Sequence, residues 1–145
     1  MKFMKRIIKP KAVIQFWLPP VVWAALIFFV SSKPVATTTE IYWEDFIVKK
    51  TAHLIEYGIF AILLFRALKN SGMDKKRAMF YSVILAFFYA ATDEIHQAFI
   101  PGRQSRARDI IFDTIGAVAG VYLLWKLLPK APPKLKNWAK KFHLN

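Results

Sequence analysis

No cysteine occurs in the 145 residues, which excludes disulfides, thiolate metal sites and cysteine nucleophiles and leaves the redox compartment unreadable. Acidic residues are scarce as well: nine Asp and Glu stand against 22 Lys and Arg, a formal net charge of +13. Such an excess invites a nucleic-acid interface, but that requires cations along a polar face. Here they sit in clumps between apolar stretches, so no nucleic-acid partner is expected. Internal repeats and low-complexity segments are also lacking. What is abundant is hydrophobic surface. Hydrophobic residues make up 56% of the chain and aromatic ones 16%, above the ~45–50% apolar share of ordinary soluble domains. Disorder is thereby excluded, and the pattern is that of a membrane protein.

Crossing the hydrocarbon core takes about 20 mostly apolar residues. Four stretches bounded by charge qualify, at about 12–30, 51–68, 78–98 and 110–128. The first is preceded by Lys2, Lys5, Arg6, Lys9 and Lys11, as a signal peptide would be. It is long for one and no small-x-small cleavage site follows Val30, so it is read as a retained span, kinked at Pro19 and Pro20. The fold expected is all-α: a four-helix transmembrane domain over residues 1–128, followed by a basic tail over 129–145. In that tail Leu135, Trp138, Ala139 and Phe142 fall at helical spacing among Lys134, Lys136, Lys140 and Lys141. They predict a short amphipathic helix lying at the membrane surface.

Orientation follows from Lys and Arg in the short flanks. The N-terminal flank, the segment between spans two and three, and the C-terminal tail together hold sixteen; the other two loops hold six. Both termini are therefore expected in the cytoplasm, in a multi-pass protein of the cell membrane. Most of the +13 is an anchor for the anionic inner leaflet.

Spans two and three carry ionisable residues near one end. At a rise of about 1.5 Å per residue, Glu56, Asp93 and Asp113 lie at similar depths of about 18–22 Å from the cytoplasmic ends of their helices. A charge there costs a few kcal/mol if it faces lipid, so all three should face the bundle interior or a water-filled cavity. Helical spacing adds neighbours to each. His53, Glu56 and Tyr57 share one face of span two, and Asp93, His96 and Gln97 one face of span three, with Glu94 to the side. Asp109, Asp113, Gly116 and Gly120 form a stripe on span four, where the two glycines suit close helix packing. Between spans three and four, Pro101-Gly102 marks a turn. Arg103, Arg106 and Arg108 beside it can pair with carboxylate or phosphate, and Asp109 suits the positive end of a helix dipole.

These residues carry a resemblance. Asp93-Glu94-Ile95-His96-Gln97, then Pro101-Gly102-Arg103, Ser105, Asp109, Asp113 and Gly116, resemble the D-E-x-x-Q…P-G-R…S…D…N-x-x-G pattern of the VanZ-like family of small membrane proteins. Upstream, Lys49-Lys50-Thr51-Ala52-His53-Leu54-Ile55-Glu56-Tyr57 is similar to that family's K-x-x-H-x-x-E-Y segment. The likeness covers about 46–120 and departs at Asp113, where asparagine is more usual. It implies an envelope protein linked to resistance to the lipoglycopeptide teicoplanin, without a settled biochemical activity.

Besides a purely structural role, in which the polar cluster is glue to another membrane protein, three functions compete for a site built from His53, Glu56, Tyr57, Asp93, Glu94, His96, Gln97, Arg103, Ser105, Arg106, Asp109 and Asp113. The first is binding of an amphiphile, such as a lipid-linked wall precursor or the acyl tail of an antibiotic. Arg103 and Arg106 would hold its anion and Trp43, Phe87, Phe88, Tyr89 and Phe99 would supply aromatic walls. The second is an intramembrane enzyme, with Glu56 or Asp93 as base and His53 or His96 as acid. No cofactor is expected; the side chains spaced for a divalent ion are His53 with Glu56 and Asp93 with His96. The third is a proton-coupled lipid transporter, which with four spans would require a homo-oligomer.

Overall fold

The computed structural model describes residues 10–33, 42–103 and 105–144. The charges expected at Lys2, Lys5, Arg6 and Lys9 lie outside the described residues. Among those residues there are five α-helices: α1 (Pro10–Ser31), α2 (Tyr42–Asn70), α3 (Lys75–Ala98), α4 (Ala107–Leu127) and α5 (Pro133–Lys141), with one 3-10 turn at Leu128–Lys130. The first four are long and apolar enough to cross a membrane. One difference from the sequence-based expectation has a simple cause. α2 begins nine residues before the apolar stretch does, because Glu44, Asp45, Lys49 and Lys50 lower the hydropathy without breaking the helix. α1 contains Pro19 and Pro20 within its helical span, with Pro20 fully buried.

The bundle is inside-out relative to a soluble protein. Phe80, Phe88, Ile95, Ile111, Ile115 and Tyr122 point outward and are exposed, as lipid-facing side chains should be. The inward face of α3 is instead a ladder of small residues, Ala78, Ser82, Ala86 and Ala90, which turns polar at Asp93, Glu94 and Gln97. Small residues let helix backbones approach without help from hydrophobic expulsion, which is weak between helices in lipid.

The most extensive interface joins α2 and α4. A Cβ placed on Gly120 would lie 2.6 Å from the carbonyl oxygen of Gly58, and one on Gly116 would lie 2.8 Å from Leu54 Cα. Only glycine permits this approach. The two helices run parallel, since their contacts rise together: Leu54 meets Gly116 and Gly58 meets Gly120. Below them Tyr57, Phe60, Ala61, Leu64, Ala86, Ala90, Ala117 and Val121 form the core, joined by Ile27 of α1.

α1 is held to this core by side-chain hydrogen bonds along its length. Trp17 Nε1 donates to Ser71 Oγ at 3.0 Å, Trp23 Nε1 to the Glu56 carbonyl at 3.0 Å, and Tyr89 Oη to the Ala24 carbonyl at 2.6 Å. Tyr89 is thus a strut between helices.

The basic tail folds back on the bundle. Arg66 Nε donates to the Phe142 carbonyl at 2.6 Å and Asn70 Nδ2 to the His143 carbonyl at 3.2 Å. Ala139 and Leu144 are buried, while Leu135, Trp138 and Phe142 stay exposed. The end of the tail is therefore docked at the Asn70 end of α2, and one apolar ridge of α5 is left facing outward.

Candidate functional site

At the opposite end of the bundle, α2 and α4 meet through a polar ladder. Lys50 Nζ lies 2.6 Å from Asp109 Oδ1, with side chains only 13% and 15% exposed. One turn deeper, His53 Nδ1 lies 3.0 Å from Asp113 Oδ1. One turn deeper again the ladder gives way to the glycine contacts. The same close approach that requires Gly116 and Gly120 thus sets the register that pairs His53 with Asp113. Asp113 is 3% exposed and His53 22%, so the carboxylate is enclosed while the imidazole reaches the outside.

Asp93 has a different set of neighbours. Its Oδ2 accepts from Ser31 Oγ at 2.8 Å and from Gln97 Nε2 at 2.7 Å. Its Oδ1 is buried with no partner. Ser31, at the last turn of α1, is a member of the cluster that sequence reasoning missed. The only trace in the sequence is the Ser31-Ser32 pair that closes the first apolar span.

Glu94 serves the loop. Its side chain accepts from the Arg106 backbone N–H, and its carbonyl accepts from Ser105 Oγ at 3.0 Å. Ser105 and Arg106, expected as binding groups, thereby fasten the α3–α4 connection. The turn itself uses Gly102 at φ +81°, where a side chain would be strained.

That turn sends Arg103 inward. Its Nε and Nη1 are buried and have no hydrogen-bond partner. Glu56 lies within electrostatic reach of His53, Asp93, Asp113 and Arg103, so residues from three helices and the loop surround one carboxylate. Tyr57, one turn below His53, is 0% exposed. Its hydroxyl has no partner, and Glu56, Asp93 and Asp113 all act on it electrostatically. Glu56, Asp93 and Asp113 are thus near enough to act on one another electrostatically.

Other expectations need correction. His96 does not join Asp93: its ring stacks on Phe28 at 4.4 Å and 21°, because the α1–α3 contact claims that face. The pairs spaced for a divalent ion do not assemble. His53 turns to Asp113, Asp93 to Ser31 and Gln97, and among the described residues no three His, Asp or Glu side chains could hold a metal. Trp43, Phe88 and Phe99 are exposed on the outer surface and do not wall the cluster, whereas Phe87 lines an outward groove beside α4.

Four apolar helices around an interior seam of charged and polar groups at one end define a multi-pass helical membrane protein. A family model described as VanZ/LLP1 matches residues 16–129, more than three quarters of the chain, and the chain belongs to that family. No curated protein and no solved structure matches it significantly.

Proposed function

We propose that this protein is a small cell-envelope membrane protein whose polar end binds the head group of an amphiphilic or lipid-linked molecule. The observation that carries this reading is Arg103. A guanidinium with two buried, unpartnered nitrogens sits where leaving donors unmade costs ~1–3 kcal/mol or more each. A phosphate or carboxylate would supply the charge-assisted hydrogen bonds these donors lack. Glu56, Asp93 Oδ1 and the Tyr57 hydroxyl offer acceptors and a donor for hydroxyl or amine groups on the same ligand.

A seat for the apolar part lies nearby. Between α3 and α4 runs an outward-facing groove of about 420 Å³, lined by Phe87, Ile110, Ile115, Val118 and Tyr122 among others. Along α4 it extends for about 18 Å, from Ile110 to Tyr122 on the outer side of the helix. The family's link to teicoplanin resistance fits a ligand of this kind, either a lipid-linked wall precursor or the acylated antibiotic. The distribution of sixteen and six cations supports both termini in the cytoplasm, which puts the polar end at the outer leaflet.

The test is mass spectrometry of the purified chain. Wild type is expected to retain an anionic amphiphile, and Arg103→Lys, which keeps the charge but loses the two-pronged geometry, to retain about tenfold less. Equal retention by the two proteins overturns the reading.

A further inference from the structure

Binding alone leaves the most organised pair in the site without a task. Asp113 is an acceptor, so the His53 nitrogen facing it, Nδ1, carries the hydrogen. Nε2 is then the basic atom. The carboxylate is enclosed and the imidazole partly open, which orients the ring and leaves its far edge accessible. This is the arrangement that activates water or a hydroxyl in many unrelated folds. One turn along the same face, the Tyr57 hydroxyl is a buried donor with no partner. Such a donor can meet negative charge as it develops in a low-dielectric site.

Depth selects the substrate class. Lys50 and Arg108, both beside Asp109, form a cationic collar at the end of the bundle. His53 and Asp113 lie one helical turn deeper, about 5 Å. In a glycerophospholipid the acyl ester carbonyls hang one short covalent link below the phosphate, a comparable distance. A lipid whose phosphate sits among the collar cations and Arg103 brings an ester to His53.

We infer that the His53–Asp113 pair is the general base of an acyl-ester hydrolase acting on a glycerophospholipid held at this end of the bundle. The inference rests on the amphiphile-binding reading above. His53 Nε2 takes a proton from water as the water oxygen bonds to the ester carbonyl carbon. The carbonyl electron pair moves to its oxygen, which accepts from the Tyr57 hydroxyl. When this intermediate collapses, the bond from carbon to the glycerol oxygen breaks, and His53 gives that oxygen the proton. One water is consumed; one fatty acid and one lysophospholipid form, with no oxidant or reductant. His53 and Tyr57 are the catalytic residues, and Asp113, acting through His53, is a positioning residue.

The test uses the full chain in nanodiscs of phosphatidylglycerol in heavy-oxygen water, read by mass spectrometry. Wild type is expected to release fatty acid and lysophosphatidylglycerol in equal amounts, with heavy oxygen in the carboxyl group. His53→Gln is expected to abolish release. Asp113→Asn is expected to lower kcat about 100-fold or more with KM within about twofold, a split that loss of packing alone would not produce. Both variants are checked for helix content and retained lipid. Release no faster than from empty nanodiscs, release persisting in folded His53→Gln, or diacylglycerol as the product each overturns the inference. If lipid is retained without release, hydrolysis fails and binding stands; if wild type retains no lipid and releases nothing, both fail.

Discussion

Ser31 Oγ donates to Asp93 Oδ2 at 2.8 Å across 62 residues of sequence, tying the last turn of α1 to the acid that α3 buries at the polar end of the bundle. Asp93 Oδ2 also accepts from Gln97 Nε2, so the carboxylate keeps one oxygen committed to structure and one open. Removing one donor should therefore loosen α1 before it disturbs the rest of the site. Ser31→Ala is expected to cost about 1–3 kcal/mol, and Ser31→Thr, which keeps the hydroxyl, much less. Thermal unfolding in detergent measures both, and equal stability of Ser31→Ala and wild type would show the bond to be incidental.

The glycine seam makes a sharper claim. Gly116→Ala and Gly120→Ala drive a methyl into the backbone of Leu54 and Gly58, so each should destabilise by about 1–3 kcal/mol. Gly58→Ala meets its nearest atom, the Gly116 carbonyl oxygen, at 3.1 Å and should be milder. The ranking can be read from denaturant midpoints; a Gly58 variant worse than both others contradicts it.

Lys50 and Asp109 are both mostly enclosed. Deleting one partner strands a charge, at about 3–5 kcal/mol, whereas removing both together with neutral residues should cost less than the two single losses combined. A double-mutant cycle with Lys50→Met and Asp109→Leu checks the sign, and strict additivity would show that the two charges are not coupled.

Glu94 holds the α3–α4 connection through the Arg106 backbone N–H. Glu94→Gln keeps an acceptor and should leave the loop ordered, while Glu94→Ala should free it. Hydrogen exchange at the amides of residues 105–109 is expected to rise about tenfold or more in Glu94→Ala, corresponding to ~1.4 kcal/mol or more of lost local stability. Unchanged exchange assigns Glu94 to the ligand site instead.

Orientation can be tested cleanly because the chain has no native cysteine. Single substitutions Ser71→Cys and Ser105→Cys lie at opposite ends of the bundle. With both termini in the cytoplasm, a membrane-impermeant maleimide added to intact cells should label Ser105→Cys and spare Ser71→Cys; the reverse pattern inverts the topology.

The site residues legible in the sequence are those whose reasons are local. Glu56, Asp93 and Asp113 each interrupt an apolar run, so each is marked by its cost in lipid. Gly116 and Gly120 signal packing by their spacing. Ser31 gives almost no signal, because a hydroxyl at a helix end is ordinary. His96 gives a false one. It shares a face with Asp93 by spacing, yet Phe28 of α1 occupies that face, and α1 is remote in sequence.

Sequence alone determined that this chain is a four-span helical membrane protein with a buried acidic minority. Hydropathy and cation placement are sums over neighbouring residues, and a span's preference for lipid depends mainly on its own composition. Which acid meets which partner was decided only by the tertiary structure. The depth of van der Waals approach at Gly116 and Gly120 fixes the register and rotation of α4 on α2. A rotation by one residue, about 100° on a helix, would have turned Asp113 away from His53. Contact between side chains sixty residues apart is a property of helix faces locked against each other, and no local sum contains it.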